Sequence, residues 1–147
     1  MPAITAQLTE AIVDELNGEA WTLPFAARRD YRPRYTVADL ANLTVTVSPR
    51  TLAITPVARG LATPEYTIDI AIQQHLNQED NDTLDALIML AEHITQHMIN
   101  HRLRAMPTAL CIRATSEPLY SIDHLDDHRV FTSLITLTYA LTASIDP

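Results

Sequence analysis

The spacing of apolar residues along the chain predicts two amphipathic helices. In residues 3–17, an apolar side chain recurs at every fourth position, at Ile4, Leu8, Ile12 and Leu16. The acidic residues of this segment, Glu10, Asp14 and Glu15, are assigned to the rest of the helical wheel. Residues 83–104 show the same helical spacing. Each segment therefore presents an apolar stripe to a core or to a partner.

Strict alternation of apolar and polar residues predicts five strands. Alternation is clearest from Tyr66 to Gln73, where every second residue is apolar. The predicted strands span 42–48, 51–56, 65–76, 109–115 and 129–142. A period of two is typical of a strand with one buried and one polar face. Pro49 and Arg50 predict a turn, and Pro56 confines the second strand to a sheet edge.

The order of these elements predicts an α+β fold, with a mainly antiparallel sheet and both helices on one face. Residues 19–41 are expected to form an extended arm or long loop, with a short turn near Leu40, and residues 116–128 a polar loop. The residues expected in the core are Ile12, Leu16, Val45, Val47, Ile68, Ile70, Leu87, Ile94, Phe131 and Leu137.

The length of 147 residues predicts a single domain, residues 1–147. No apolar run approaches the roughly 20 residues of a membrane span, and no signal peptide is visible. Cys111 is the single cysteine, which fits a reducing compartment, and its mid-strand position favours a small core residue over a nucleophile. Two glycines are too few for a Gly-rich phosphate loop.

The charge balance disfavours nucleic acid as a general partner. The net charge is −8, from 18 acidic residues against ten arginines and no lysine. A chain of that charge is repelled by phosphate backbones. Such repulsion is nevertheless compatible with DNA that passes through a lumen without being bound.

The basic charge is concentrated in one aromatic segment, where four of the ten arginines lie within residues 28–34. Arginine and tyrosine together can hold phosphates or stack bases, and they are also typical of protein interfaces. The acidic remainder of the chain favours the interface interpretation. The candidate contact residues are Arg28, Arg29, Tyr31, Arg32, Arg34 and Tyr35.

Histidines recur at four-residue spacing on the second predicted helix, at His93, His97 and His101. Two histidines at i and i+4 can chelate zinc, but the HExxH pattern is absent. His93 and His97 are assigned to the side opposite the apolar stripe, which indicates a solvated polar face. We therefore expect no metal and no cofactor, with His93 and His97 as the candidates that a zinc titration would test. His124 and His128, which could add ligands, fall in the predicted loop.

The layout of the chain resembles the tail terminator and minor tail proteins of long-tailed bacteriophages. The resemblance covers about residues 3–142 and rests on a pattern of elements. The matching segments are Ile12-Val13-Asp14-Glu15-Leu16, Ala38-Asp39-Leu40, Leu43-Thr44-Val45-Thr46-Val47-Ser48-Pro49, Arg59, Tyr66-Thr67-Ile68-Asp69-Ile70-Ala71-Ile72, the helix 84–104, Val130-Phe131-Thr132-Ser133 and Leu137-Thr138-Tyr139.

The resemblance implies a structural virion protein and no enzymatic activity. Members of this family form a ring, commonly hexameric, at the head-proximal end of the tail tube. The ring ends tube polymerisation and joins tail to head, so the implied partners are identical subunits, the tube protein and a neck protein. Assembly in the host cytoplasm and location in the virion follow. The alternatives are a neck or head-completion connector and a histidine-dependent metal hydrolase. A tube protein is disfavoured because the 116–128 loop and the helices leave little room for a tube hairpin.

Overall fold

The computed structural model describes residues 3–31, 40–77 and 80–141. Within these ranges, three helices accompany one curled, six-stranded sheet. The helices are α1 (Ile4–Asn17), α2 (Asn81–Met98) and α3 (Ile122–His128). The strands are β1 (Ala27–Arg29), β2 (Thr44–Ala58), β3 (Leu61–His75), β4 (Arg102–Leu103), β5 (Met106–Ser116) and β6 (Val130–Leu141). The predicted α+β class is confirmed.

The sheet is antiparallel except at one edge. Its strand order is β1-β2-β3-β6-β5-β4, and only the short pairing of β1 with β2 is parallel in the described sheet. The register places Ile70 opposite both Val47 and Ile135. These side chains therefore share the face on which α1 and α2 pack.

The predicted core is confirmed residue by residue. Each of the ten residues expected inside is at most 1% exposed. α1 contacts β1 and β2 as well as β4 and β5, so the curl of the sheet brings strands from both edges to one helix. The helical and strand periodicities thus converge on a single apolar cluster.

The predicted turn at Pro49 and Arg50 is wrong. The two short strands expected around it form one strand, β2, which passes this point through a shift in register between Pro49 and Thr51. A β-bulge of this kind accommodates an extra residue without ending the strand. Strand β3 likewise begins at Leu61, earlier than expected, because Arg59 and Gly60 alone connect the two strands.

The second helix is shorter than predicted at its C-terminal end. α2 ends at Met98, whereas the spacing predicts residue 104. Ile99 is extended and Asn100 adopts a left-handed φ of 55°, which asparagine tolerates better than most residues. The chain then turns back as β4. At the other end, Asp80 caps the helix by accepting a hydrogen bond from Thr83 N at 2.7 Å.

Two segments expected to be irregular contain regular structure. Residues 122–128 of the predicted polar loop form α3, in which Ser121 is the N-cap and Leu125 is buried. The predicted arm 19–41 contains β1, which pairs with β2 at Val45 to Val47. Of the turn expected near Leu40, only Leu40 itself lies within the described residues.

Candidate functional site

A two-stranded hairpin extends beyond the body of the sheet. Pairing of β3 with β6 ends at Glu65, whereas β2 and β3 stay paired to Ala58 and Leu61. Every residue from 50 to 63 is exposed. Gly60, at φ 77°, lies in the connection at the tip, where its lack of a Cβ relieves the strain of a positive φ. The chain therefore presents a ribbon that its described residues do not cover.

One face of this hairpin is apolar because it continues the core face of the sheet. Leu52 lies opposite the buried Tyr66, and Ile54 lies opposite Pro64. The opposite face carries threonines, with Thr51 across from Thr67 and Thr55 across from Thr63. Leu52 and Ile54 on the apolar face are 50% and 58% exposed. Val57, at the register shift before Ala58, and Leu61, on the same face as Thr63, are 67% and 64% exposed. Exposed apolar side chains concentrated in one hairpin indicate a contact surface.

The hairpin is also basic relative to the rest of the chain. Residues 49–64 contain Arg50 and Arg59 and none of the 18 acidic residues. Arg50 Nη1 lies 3.5 Å from Asp69 Oδ1 on the polar face of the sheet, where Thr136 also donates to Asp69 at 2.8 Å. Arg59 lies in the exposed connection between the strands. The hairpin thus combines apolar side chains with positive charge.

An apolar groove of about 290 Å³ lies between α2 and α3. Leu84, Ile88 and Phe131 line it together with the exposed Asp85 and Asp126. Tyr120 and Ile122, which also line it, are 43% and 59% exposed. The groove therefore pairs apolar surface with negative charge, the complement of the hairpin.

The structure describes half of the predicted arginine and tyrosine contact set. Arg28 and Tyr31 are exposed, and Tyr31 is 76% exposed. Arg29 instead forms an intramolecular ion pair with Glu10 of α1, at 3.4 Å. Arg32, Arg34 and Tyr35 lie outside the described residues. An ion pair between Arg29 and a neighbouring subunit would therefore have to replace the ion pair with Glu10 of its own chain.

The carboxylate of Glu15 on α1 is buried in the core, with a side chain that is 0% exposed. Nε2 of His97 and Nε2 of His101 lie 2.9 and 3.0 Å from its Oε2 atom. The backbone N–H and Nε of Arg104 donate to Oε1 at 3.1 and 3.3 Å. Arg104 Nη2 also contacts Oε2 at 3.2 Å and Glu19 at 2.8 Å. Two histidines and one arginine therefore provide hydrogen-bond partners for a buried charge.

Hydrogen bonds keep this buried carboxylate ionised. Burial by itself raises the pKa of Glu15, but hydrogen bonds from His97 and from Arg104 outweigh it and lower the pKa to about 2. The turn that ends α2 makes the cluster possible, because it brings His101 and Arg104 back towards α1. Trp21 packs edge-on against the His97 ring, with centroids 5.4 Å apart.

The sequence-based assignments for this region were wrong in two respects. Glu15 lies on the apolar stripe of α1, one turn from Ala11 and Ile12 and two turns from Leu8, so its charge needed internal partners. His97 is not on a solvated face, because it reaches Glu15, while His93 is exposed and takes no part. The sequence signal for this cluster is a carboxylate at a core position of the apolar stripe of α1.

The remaining candidates are Cys111, the two histidines of α3 and a cleft beside β1. Cys111 is buried, and burial raises the pKa of its thiol to about 11, as expected for an unreactive core residue. His124 and His128 pack against each other on α3, with ring centroids 6.4 Å apart. A cleft of about 850 Å³ beside β1 has Arg28 as the only ionisable group among its described lining residues.

Glu15, His97 and His101 are the described residues whose ligand atoms could hold a metal ion, all within 4.8 Å of one another. No helix in the described part of the chain is both long and apolar enough to cross a bilayer. The chain has no significant match to a protein-family model or to a curated protein sequence.

Proposed function

We propose that this chain is a structural virion protein that assembles into a ring at the head-proximal end of a phage tail tube. In this role it is not an enzyme; it ends tube polymerisation and joins the tail to the head. DNA passes through the lumen of the ring without being bound specifically. The observation that supports self-assembly is the projecting hairpin with its four exposed aliphatic side chains.

The hairpin is suited to an intermolecular contact because its two strands have little stability by themselves. A two-stranded ribbon is marginally stable in water, and it is usually stabilised by packing against a third element. Here the apolar face of the ribbon is an extension of the core face, so a neighbouring surface would continue the core outward. Because the four aliphatic side chains are 50–67% exposed, burying the rest of each favours association by about 1–2 kcal/mol before entropic costs.

A closed ring requires two different patches that fit each other. The apolar and basic hairpin is one patch, and the apolar groove between α2 and α3, with Asp85 and Asp126, is its counterpart on the next subunit. Arg59 at the hairpin tip then meets carboxylates across the interface. Arg28 and Tyr31 supply a second contact, together with Arg32, Arg34 and Tyr35.

A tail tube protein and a neck connector are the nearest alternatives within the particle. The sequence argument against a tube protein is that the 116–128 loop and the helices leave little room for a tube hairpin, and the hairpin of residues 49–64 weakens that argument. The three proteins differ in what they assemble. A terminator forms a single ring that caps tubes, a tube protein polymerises into long tubes, and a neck protein binds the head connector.

Electron microscopy of the purified chain, alone and mixed with tube protein from the same genome, tests the proposal. We expect isolated rings that bind one end of each tube and limit its length. A quadruple variant with threonine at positions 52, 54, 57 and 61 is expected to stay folded and lose ring formation. The matched control is Met89→Gln, which removes a 49% exposed apolar side chain on α2.

Long tubes formed by the chain alone would assign it to the tube, and binding only to head connectors would assign it to the neck. A monomer that ignores tubes and connectors would refute a role in the particle. Normal rings from the quadruple variant would show that the hairpin is not the contact.

A further inference from the structure

We propose that Glu15, His97 and His101 form a zinc-binding site that ties α1 to the turn after α2. One carboxylate and two imidazoles are a common ligand set for zinc, with a fourth position left for water. The three residues come from two distant parts of the chain, and the fold brings their ligand atoms within 4.8 Å of one another.

The distances are close to those that a tetrahedral ion needs. Zinc bonds of 2.0–2.2 Å to nitrogen and oxygen place neighbouring ligand atoms about 3.3 Å apart. Nε2 of His97 and of His101 lie 2.9 and 3.0 Å from Glu15 Oε2, and the two imidazole centroids are 4.6 Å apart. Small rotations of the two rings therefore open the position between the three atoms.

The surroundings orient the carboxylate for this role. Arg104 holds Oε1 through its backbone N–H and its Nε, which leaves Oε2 directed at the histidines. Bonds from such neighbouring groups fix the direction of metal ligands. On binding, each Nε2–H···O bond gives way to a metal bond, and each neutral imidazole then carries its proton on Nδ1.

Arg104 is the competitor that zinc must displace. Its Nη2 lies 3.2 Å from Glu15 Oε2, but the same atom lies 2.8 Å from Glu19 Oε1. The guanidinium can therefore move towards Glu19 and keep an acidic partner. The side chains of His97 and His101 are 24% and 36% exposed, so the ion reaches the buried carboxylate from their side.

Calorimetric titration of the chelator-treated full chain with zinc tests the site, with thermal unfolding as a second readout. We expect one equivalent to bind and the unfolding temperature to rise with zinc concentration, because the ion binds only the folded chain. His97→Gln and His101→Gln should each weaken binding by more than about tenfold. His93→Gln, which changes an exposed histidine on the same helix as His97, should leave zinc binding unchanged.

Cobalt supplies a measurement that separates ligation from folding. Its visible absorption reports tetrahedral coordination, and we expect that signal in the wild type and its loss in His101→Gln, with circular dichroism confirming the fold. Absence of zinc binding by the wild type would overturn the proposal. Binding that persists in both histidine variants, or that is lost in His124→Gln instead, would overturn it as well.

Discussion

Replacing Glu15 by glutamine removes the charge that His97, His101 and Arg104 surround. The carboxylate side chain is 0% exposed and accepts hydrogen bonds from all three residues. Glutamine keeps one acceptor oxygen but turns an NH₂ group towards donors. Removing one partner of a buried pair typically costs 3–5 kcal/mol, and the remaining oxygen reduces this to an expected loss of about 2–4 kcal/mol.

The Glu15 carboxylate also makes the free energy of unfolding depend on pH in the acidic range. The pKa of Glu15 is about 2 in the folded chain, against an ordinary value of 4.5. Because folding lowers this pKa, the ionised Glu15 stabilises the fold in full when the pH is above the ordinary pKa of 4.5. This stabilisation is lost as the pH falls through the folded-state pKa of about 2. Each pKa unit corresponds to about 1.4 kcal/mol, so the group contributes at most about 3 kcal/mol.

Urea unfolding of metal-free protein, at neutral pH and at steps down to about pH 3, measures both effects. We expect the wild type to lose more stability than Glu15→Gln as the pH falls below 4.5. The control is Glu10→Gln on the same helix, where a surface pair with Arg29 at 3.4 Å predicts a loss of less than about 1 kcal/mol. Equal stabilities of Glu15→Gln and wild type at neutral pH, or parallel losses in acid, would refute the reasoning.

Three further variants test the core and the basic segment. Ile68→Ala and Leu137→Ala, which lie opposite each other on β3 and β6, should each lower the free energy of unfolding by about 2–5 kcal/mol, and unchanged urea midpoints would contradict the face assignment. Replacing the four arginines of segment 28–34 by serine should weaken self-association in sedimentation experiments while the subunit stays folded. Normal assembly with lost DNA binding would instead favour the phosphate interpretation of that segment.

Helices and strands that are long enough to repeat their apolar pattern several times were predictable from the sequence. α1 and β6 are 14 and 12 residues long, and β3 alternates from Tyr66 to Gln73, so the apolar period identifies each element and its buried face. α3 has seven residues and one buried apolar side chain, Leu125, which is too little to show a helical period. Its short length explains why the segment resembles a polar loop.

Features set by contacts distant in sequence were not predictable. The end of α2 depends on a left-handed Asn100, whose N–H bonds to Cys111 O on β5, and no glycine or proline marks the position. The continuity of β2 past Pro49 depends on a bulge against β3. The Glu15 cluster needs residues 82 to 89 positions apart in the chain, so only the placement of a charge on an apolar stripe hinted at it.

The molecular mass of the assembled protein tests the central claim most directly. Sedimentation velocity of the wild type over a range of concentrations is expected to show a discrete closed oligomer several times the 16.4 kDa mass of the chain. A ring closes at a fixed number, so the species should not grow further as concentration rises. A chain that sediments as a 16.4 kDa monomer at every concentration would contradict ring assembly.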